Sequence, residues 1–118
     1  MNVSANPESR AARQLGARPA RDAFPPMGIY IIRNRATGHR LPGASRNVHA
    51  ALNRVRFELR MGKYSDRVLQ AAWNHSGVDG LCFDVLELVK ERKDVSFDYA
   101  GELKALEHIH RELEGLSP

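Results

Sequence analysis

The run Gly28-Ile29-Tyr30-Ile31-Ile32-Arg33-Asn34 constrains this chain most, because Ile29, Tyr30, Ile31 and Ile32 are consecutive strong β-formers. Ala36-Thr37-Gly38 follows with turn chemistry, and residues 39–44 read as a returning strand. Pro42 limits that second strand, since a proline donates no ladder hydrogen bond. Residues 39–44 are therefore expected as an edge strand or one that ends early.

A helical period takes over next. Val48, Leu52, Val55 and Leu59 recur at spacings of four, three and four, which makes one apolar stripe. The helix is predicted from Arg46 to Met61, with Ser45 as N-cap and Gly62 as C-cap. On a helical wheel Arg46, His49, Arg56, Arg60 and Lys63 fall on one neighbouring polar arc. A second helix is predicted over about residues 65–74, with Val68, Leu69, Ala72 and Trp73 inward. Gly77 and Gly80 frame a loop, and Leu81 to Val89 alternates as a strand. Tyr99 to Glu114 reads as a last helix, with Leu103, Leu106, His110 and Leu113 on one face. The order β-β-α-α-β-α predicts an α+β fold, a small three-stranded antiparallel sheet flanked by helices.

A chain of 118 residues with 42% hydrophobic content suits one domain with one core. Residues 1–26 are rich in Ala, Arg, Ser and Pro, and are expected as a basic, mostly flexible arm ahead of a domain spanning 27–118. No apolar run reaches the roughly 18–20 residues of a membrane span, and no apolar segment follows the first arginines as a signal peptide requires. The single cysteine, Cys82, excludes an internal disulfide, and its apolar strand setting predicts a small core residue. A reducing, cytoplasmic setting is expected.

Net charge is +4, but it is unevenly spread. Residues 1–63 hold twelve Arg and Lys against three acids, while residues 64–118 hold six against eleven. A front half of that kind suits an anionic partner, of which nucleic acid is the common one.

The ordered set of blocks resembles the GIY-YIG nuclease superfamily. Gly28 to Asn34 is similar to its first signature strand. Gly43-Ala44-Ser45-Arg46-Asn47-Val48 is similar to its G-S-S-x-N-I junction into the first helix. Phe57 to Lys63, Leu69 to Asn74 and Phe83 to Glu87 resemble the blocks that follow. The resemblance covers about Met27 to Glu114. It implies metal-assisted phosphodiester hydrolysis with Mg²⁺ or Mn²⁺, in which two tyrosines, a first-helix arginine, a histidine one turn on and a last-helix glutamate share the work.

Residue by residue, the match is incomplete. Tyr30 stands at the first tyrosine. The second signature reads Leu41-Pro42-Gly43, so its phenol is absent. The arginine's place is Ala51 and the histidine's place is Val55. Glu107, or less closely Glu102, stands at the metal glutamate. Losing an arginine that meets phosphoryl charge costs on the order of 10³–10⁵ in rate. Arg54, almost one turn beyond Ala51, is the candidate replacement, with Arg40, His39 and His49 nearby in sequence.

Three functions follow from these residues. One is a nucleic-acid-binding module with lost or much reduced nuclease activity, which grips DNA or RNA backbone through Arg46, His49, Arg56, Arg60, Lys63 and Arg40. The second is a divalent-metal-dependent endonuclease with a rearranged site of Tyr30, Arg54 and Glu107. The third is a protein-interaction or regulatory domain. No base-reading motif, membrane partner or small-molecule cofactor is expected.

Overall fold

The structure, a computed structural model, describes residues 23–116. The expected arm over 1–26 falls mostly outside them. β1 (Gly28–Asn34) is the middle strand of a three-stranded sheet of order β2-β1-β3. β2 (Arg40–Ser45) and β3 (Leu81–Leu88) both pair with it antiparallel. Its alternate side chains can be apolar on both faces because helices cover both. Ile29, Ile31 and Ile32 are fully buried.

Pro42 sits within β2, which continues through it to Ser45. The strand is an edge, where a missing ladder donor is tolerated. Asn34 closes the hairpin by accepting from the Ala36 and Thr37 amides at 2.9 and 3.3 Å, an Asx-type turn. A bulge interrupts β1–β3 pairing between Ile29 and Tyr30. Beside it Gly28 lies so near β3 that a Cβ there would overlap the Glu87 carbonyl.

One face of the sheet carries α1 (Val48–Arg60) and α2 (Arg67–Ser76), packed through Ile32, Leu52, Val55, Leu59, Leu69 and Leu81. Leu59 is 1% exposed, so truncating it to alanine costs about 2–5 kcal/mol. Trp73 packs partly buried against this cluster, as its spacing predicts. The other face carries α3 (Tyr99–Leu113), where Leu103 and Leu106 meet Met27, Ala44 and Val89. Phe24 joins that second cluster and meets the Tyr99 ring at a tilt, with centroids 5.3 Å apart, so packing begins ahead of the boundary expected at Met27.

Several expectations shift. The α1 N-cap is Asn47, not Ser45: its side chain accepts from the Ala50 amide at 3.0 Å. Ser45 stays in β2, and its hydroxyl instead accepts from the Asn47 amide at 3.0 Å. α2 starts later than expected because Asp66 caps it, accepting from the Leu69 amide at 3.0 Å. Cys82 is not a core residue; it faces the α3 side half-exposed, and its thiol lies 3.0 Å from the Asp84 carboxylate, which pushes its ionisation up. Leu113 is 74% exposed and lies off the buried face of α3, whereas His110 meets Glu87 at 2.8 Å. No helix among the described residues is long and apolar enough to cross a membrane.

Candidate functional site

A cleft of about 770 Å³ opens beside Tyr30. Tyr30 reaches it because its partner across the ladder is Gly43. A Cβ on Gly43 would lie 2.5 Å from Tyr30 Cζ, so the phenol ring occupies the space a side chain would take. The opposite wall is one side of α1 and its N-cap, with Asn47, Ala50, Ala51, Arg54 and Glu58. Arg46 enters from the β2–α1 turn, and Lys63 and Tyr64 from the α1–α2 connection.

Tyr64 is held from behind. The buried side chain of Gln70 accepts from the Tyr64 amide at 2.9 Å. Gln70 Nε2 in turn donates to the Leu59 carbonyl and to Asn74 Oδ1, each at 3.0 Å. Gly62, at φ 74°, lets the chain turn out of α1 to reach this position.

Both phenols are pushed above the ordinary tyrosine range. Burial is the main cause for Tyr30, followed by the negative charges of Glu107 and then Glu58. Tyr64 is pushed up to about 12 by burial, with Tyr30, Asp66 and Glu58 adding to it. Such phenols stay protonated at neutral pH. They are donors, and poor general bases, since a base works best when poised near the operating pH. Among the described residues neither phenol oxygen has a hydrogen-bond partner.

The cations around them differ. Arg54 lines the cleft as its position beyond Ala51 allows, but its Nε donates to Glu58 Oε2 at 3.1 Å and its side chain is 80% exposed. Arg46 and Lys63 line the same cleft with no ion pair among the described residues. Val55, at the histidine's place, is 6% exposed and belongs to the core, and Leu41 packs half-buried against the same cluster.

The basic arc expected along the first helix does not survive as one surface. Helical geometry holds only for Val48–Arg60, so Arg46 and Lys63 leave the wheel and turn into the cleft. Arg56 packs its guanidinium 4.5 Å over the Phe83 ring, toward β3. His49 and Arg60 are exposed but line no part of the cleft. Arg40 is also withdrawn from the candidate interface. Its Nε meets Glu114 Oε1 at 3.0 Å, and its other nitrogens are taken by the Glu114 and Gly38 carbonyls. Arg33, directly opposite Arg40 across the ladder, donates to both oxygens of the same carboxylate at 2.9 and 3.1 Å. One glutamate thus bridges a facing arginine pair that would otherwise repel more strongly.

Glu107 stands half-buried on α3 and is not part of the cleft wall. Its charge is nevertheless second only to burial in raising Tyr30, which puts it within electrostatic reach of that hydroxyl. No cluster of three or more His, Cys, Asp or Glu side chains suited to a metal occurs among the described residues. A hard divalent ion that keeps water and phosphate oxygens as its other ligands fits a single carboxylate, and Glu107 is the residue that would hold it. His108 and His110 point apart, toward Glu112 and Glu87, as alternate helical positions require. Tyr64, Glu58 and Gln70 are the site residues that sequence reasoning missed. The only signal was a tyrosine directly after the Gly62-Lys63 helix exit.

Strand order, helix placement and the Tyr30 cleft together describe a GIY-YIG-like fold. Two solved structures are similar to it. The catalytic domain of the homing endonuclease I-TevI matches with a TM-score of 0.60 and 22% identity, over 75% of this chain and 88% of that one. A glutamate-to-alanine variant of the catalytic domain of the intron endonuclease I-TevI matches with a TM-score of 0.50 and 23% identity, over 77% and 91%. No family model and no curated protein matches the chain.

Proposed function

We propose that this domain is a nucleic-acid-binding module that holds the sugar-phosphate backbone at the Tyr30 cleft and hydrolyses it slowly or not at all. One observation carries the reading: Arg46 and Lys63, without ion-pair partners among the described residues, share a cleft with two protonated phenols, while Ala51 and Val55 place hydrocarbon at the arginine and histidine positions. Binding needs fixed donors and cations. Efficient hydrolysis also needs a guanidinium aimed at the developing charge, and Arg54 spends its Nε on Glu58. The I-TevI likeness supports a nucleic-acid partner.

Fluorescence anisotropy with duplex and single-stranded oligonucleotides tests this. Binding is expected at low salt, weakening as salt rises, with a slope of about −0.7 to −0.9 for each phosphate neutralised. Arg46→Ala and Lys63→Ala each reduce that slope by about one unit. Arg40→Ala leaves it unchanged, because Glu114 holds that side chain outside the cleft. No binding to either oligonucleotide at low salt overturns the reading.

A second reading, a metal-dependent endonuclease, is favoured by the reach of Glu107 to Tyr30. Mg²⁺ or Mn²⁺ bound there would polarise a phosphate oxygen, while Tyr30 would donate to the same group. Nicking of plasmid DNA that depends on either ion and disappears in Glu107→Ala would support it over the first.

A further inference from the structure

The cleft contains a phenol that the second signature does not supply. Leu41 stands where that signature's tyrosine would be, and it is turned into the core. Tyr64 comes instead from the α1–α2 connection, 34 positions after Tyr30 in the chain, and lines the same cleft. The two rings are near enough that each hydroxyl sits in the electrostatic neighbourhood of Glu58.

Resting on the backbone-binding reading above, we propose that Tyr64 is the second phenol of this site, and that Tyr30 and Tyr64 together donate hydrogen bonds to one phosphodiester group of the bound backbone. Three features lead there. First, neither hydroxyl has a partner among the described residues, although both rings are half-buried. Both hydroxyls open onto the cleft and are not sealed in the core, so an acceptor oxygen of a ligand can take the hydrogen bond that solvent otherwise fills. Second, Tyr64 is positioned by a saturated support. Gln70 is 9% exposed and spends its carbonyl on the Tyr64 amide and its amide on Leu59 and Asn74. This fixes the backbone from which the phenol projects before any ligand arrives. Third, Lys63 precedes Tyr64 and lines the cleft beside it, so a neutral donor and a cation reach the same space from adjacent residues.

The chemistry selects the ligand class. Two protonated phenols donate and two cations attract, so the group they complete is an anion with several acceptor oxygens, as a phosphodiester is. Glu58 on the cleft wall and Glu107 within electrostatic reach of Tyr30 oppose any anion, and the cations Arg46 and Lys63 offset them. Tyr64 touches no reacting atom in the binding reading. Its part is recognition.

The test separates neutral donors from cations. Tyr64→Phe keeps the ring and removes only a hydroxyl that bonds nothing among the described residues, so the fold is retained and a melting curve checks it. Affinity for an oligonucleotide is expected to fall about tenfold or more, because a hydrogen bond to a charged group is lost. The salt slope is expected to stay as in the unmodified protein, since no phosphate loses a counter-charge. Tyr30→Phe should behave alike, whereas Lys63→Ala should lower the slope. Unchanged affinity in Tyr64→Phe, with Lys63→Ala weakened, overturns the role of Tyr64 and leaves the backbone-binding reading standing. A Tyr64→Phe loss that comes with a reduced slope also overturns it, because the phenol would then be holding a cation in place. Absence of binding by the unmodified protein overturns both.

Discussion

Tyr30 and Gly43 face each other across the β1–β2 ladder, and the phenol ring fills the volume that a side chain at Gly43 would need. The relationship gives the glycine that ends Leu41-Pro42-Gly43 a steric role of its own, whatever residue begins the triplet. The glycine serves the first strand's phenol, not its own neighbour. Gly43→Ala should push the ring out of the cleft. The loss is expected at about 1–3 kcal/mol, the range for overpacking, and a lower melting temperature would report it. Oligonucleotide affinity should fall with it. Gly28→Ala should cost more, because its obstacle is the backbone of Glu87, which cannot rotate away. Equal melting temperatures for Gly43→Ala and the unmodified protein would contradict the packing described.

Acid should unfold this domain partly through Glu114. Arg33 first, then Arg40, hold its carboxyl below the usual carboxylate range. A depressed carboxyl adds stability above its unfolded value of about 4.3 and loses it as pH falls through the lower folded value. Stability of the unmodified protein should therefore fall below about pH 4.3, by the same linkage. Glu114→Gln should be less stable at neutral pH, with Arg33 and Arg40 left facing each other, and should show a shallower acid slope. Denaturant titrations from neutral pH downward measure both.

Alkali acts on Tyr64 in the opposite direction. Its ionisation is raised to about 12. The folded state then holds the proton more tightly than the unfolded chain, whose phenol titrates at about 10. The contribution is whole below about pH 10 and is lost as pH climbs toward the folded value. Tyr64→Phe should flatten that alkaline loss. An absorbance titration should show one phenol fewer titrating near the top of the range.

Restoring the missing cation offers a gain-of-function check. Ala51 lines the cleft on the α1 wall and has room to grow into it. Ala51→Arg should tighten binding and steepen the salt slope by about one phosphate. If the scaffold is otherwise competent, nicking of plasmid DNA with Mn²⁺ should rise at least tenfold, a fraction of the about 10³–10⁵ that such an arginine can supply. An Ala51→Arg protein that binds more tightly yet nicks no faster would mark the site as a recognition surface alone.

Much of the fold could be read from local patterns. β1 spans the expected residues because four adjacent β-formers leave little alternative. Core residues of α1 follow their stripe, and all four are buried. The helix starts were less legible, since Ser45 and Asn47 are both good caps and only the hydrogen bond to Ala50 decides between them. The site was the least legible part. Arg40 looked available because Glu114, which occupies it, lies 74 residues away. Tyr64 went unnoticed because nothing local marks a side chain that meets Tyr30 only after α1 has folded across β2. A wheel drawn through Arg46 and Lys63 also assumed a helix longer than the one that forms.

The middle position of β1 has a kinetic side. Its pairing with β2 is a short hairpin, whereas Asn34 meets Leu81 only after a closure of more than forty residues. The residues that line the cleft all fall between Tyr30 and Ser65, and all of them leave the ribosome before β3 exists. The cleft is therefore encoded early and locally, but the sheet that steadies Tyr30 is completed late. Folding should be limited by the arrival of β3, and a chain cut short of it would carry every cleft residue without the support that holds them in place.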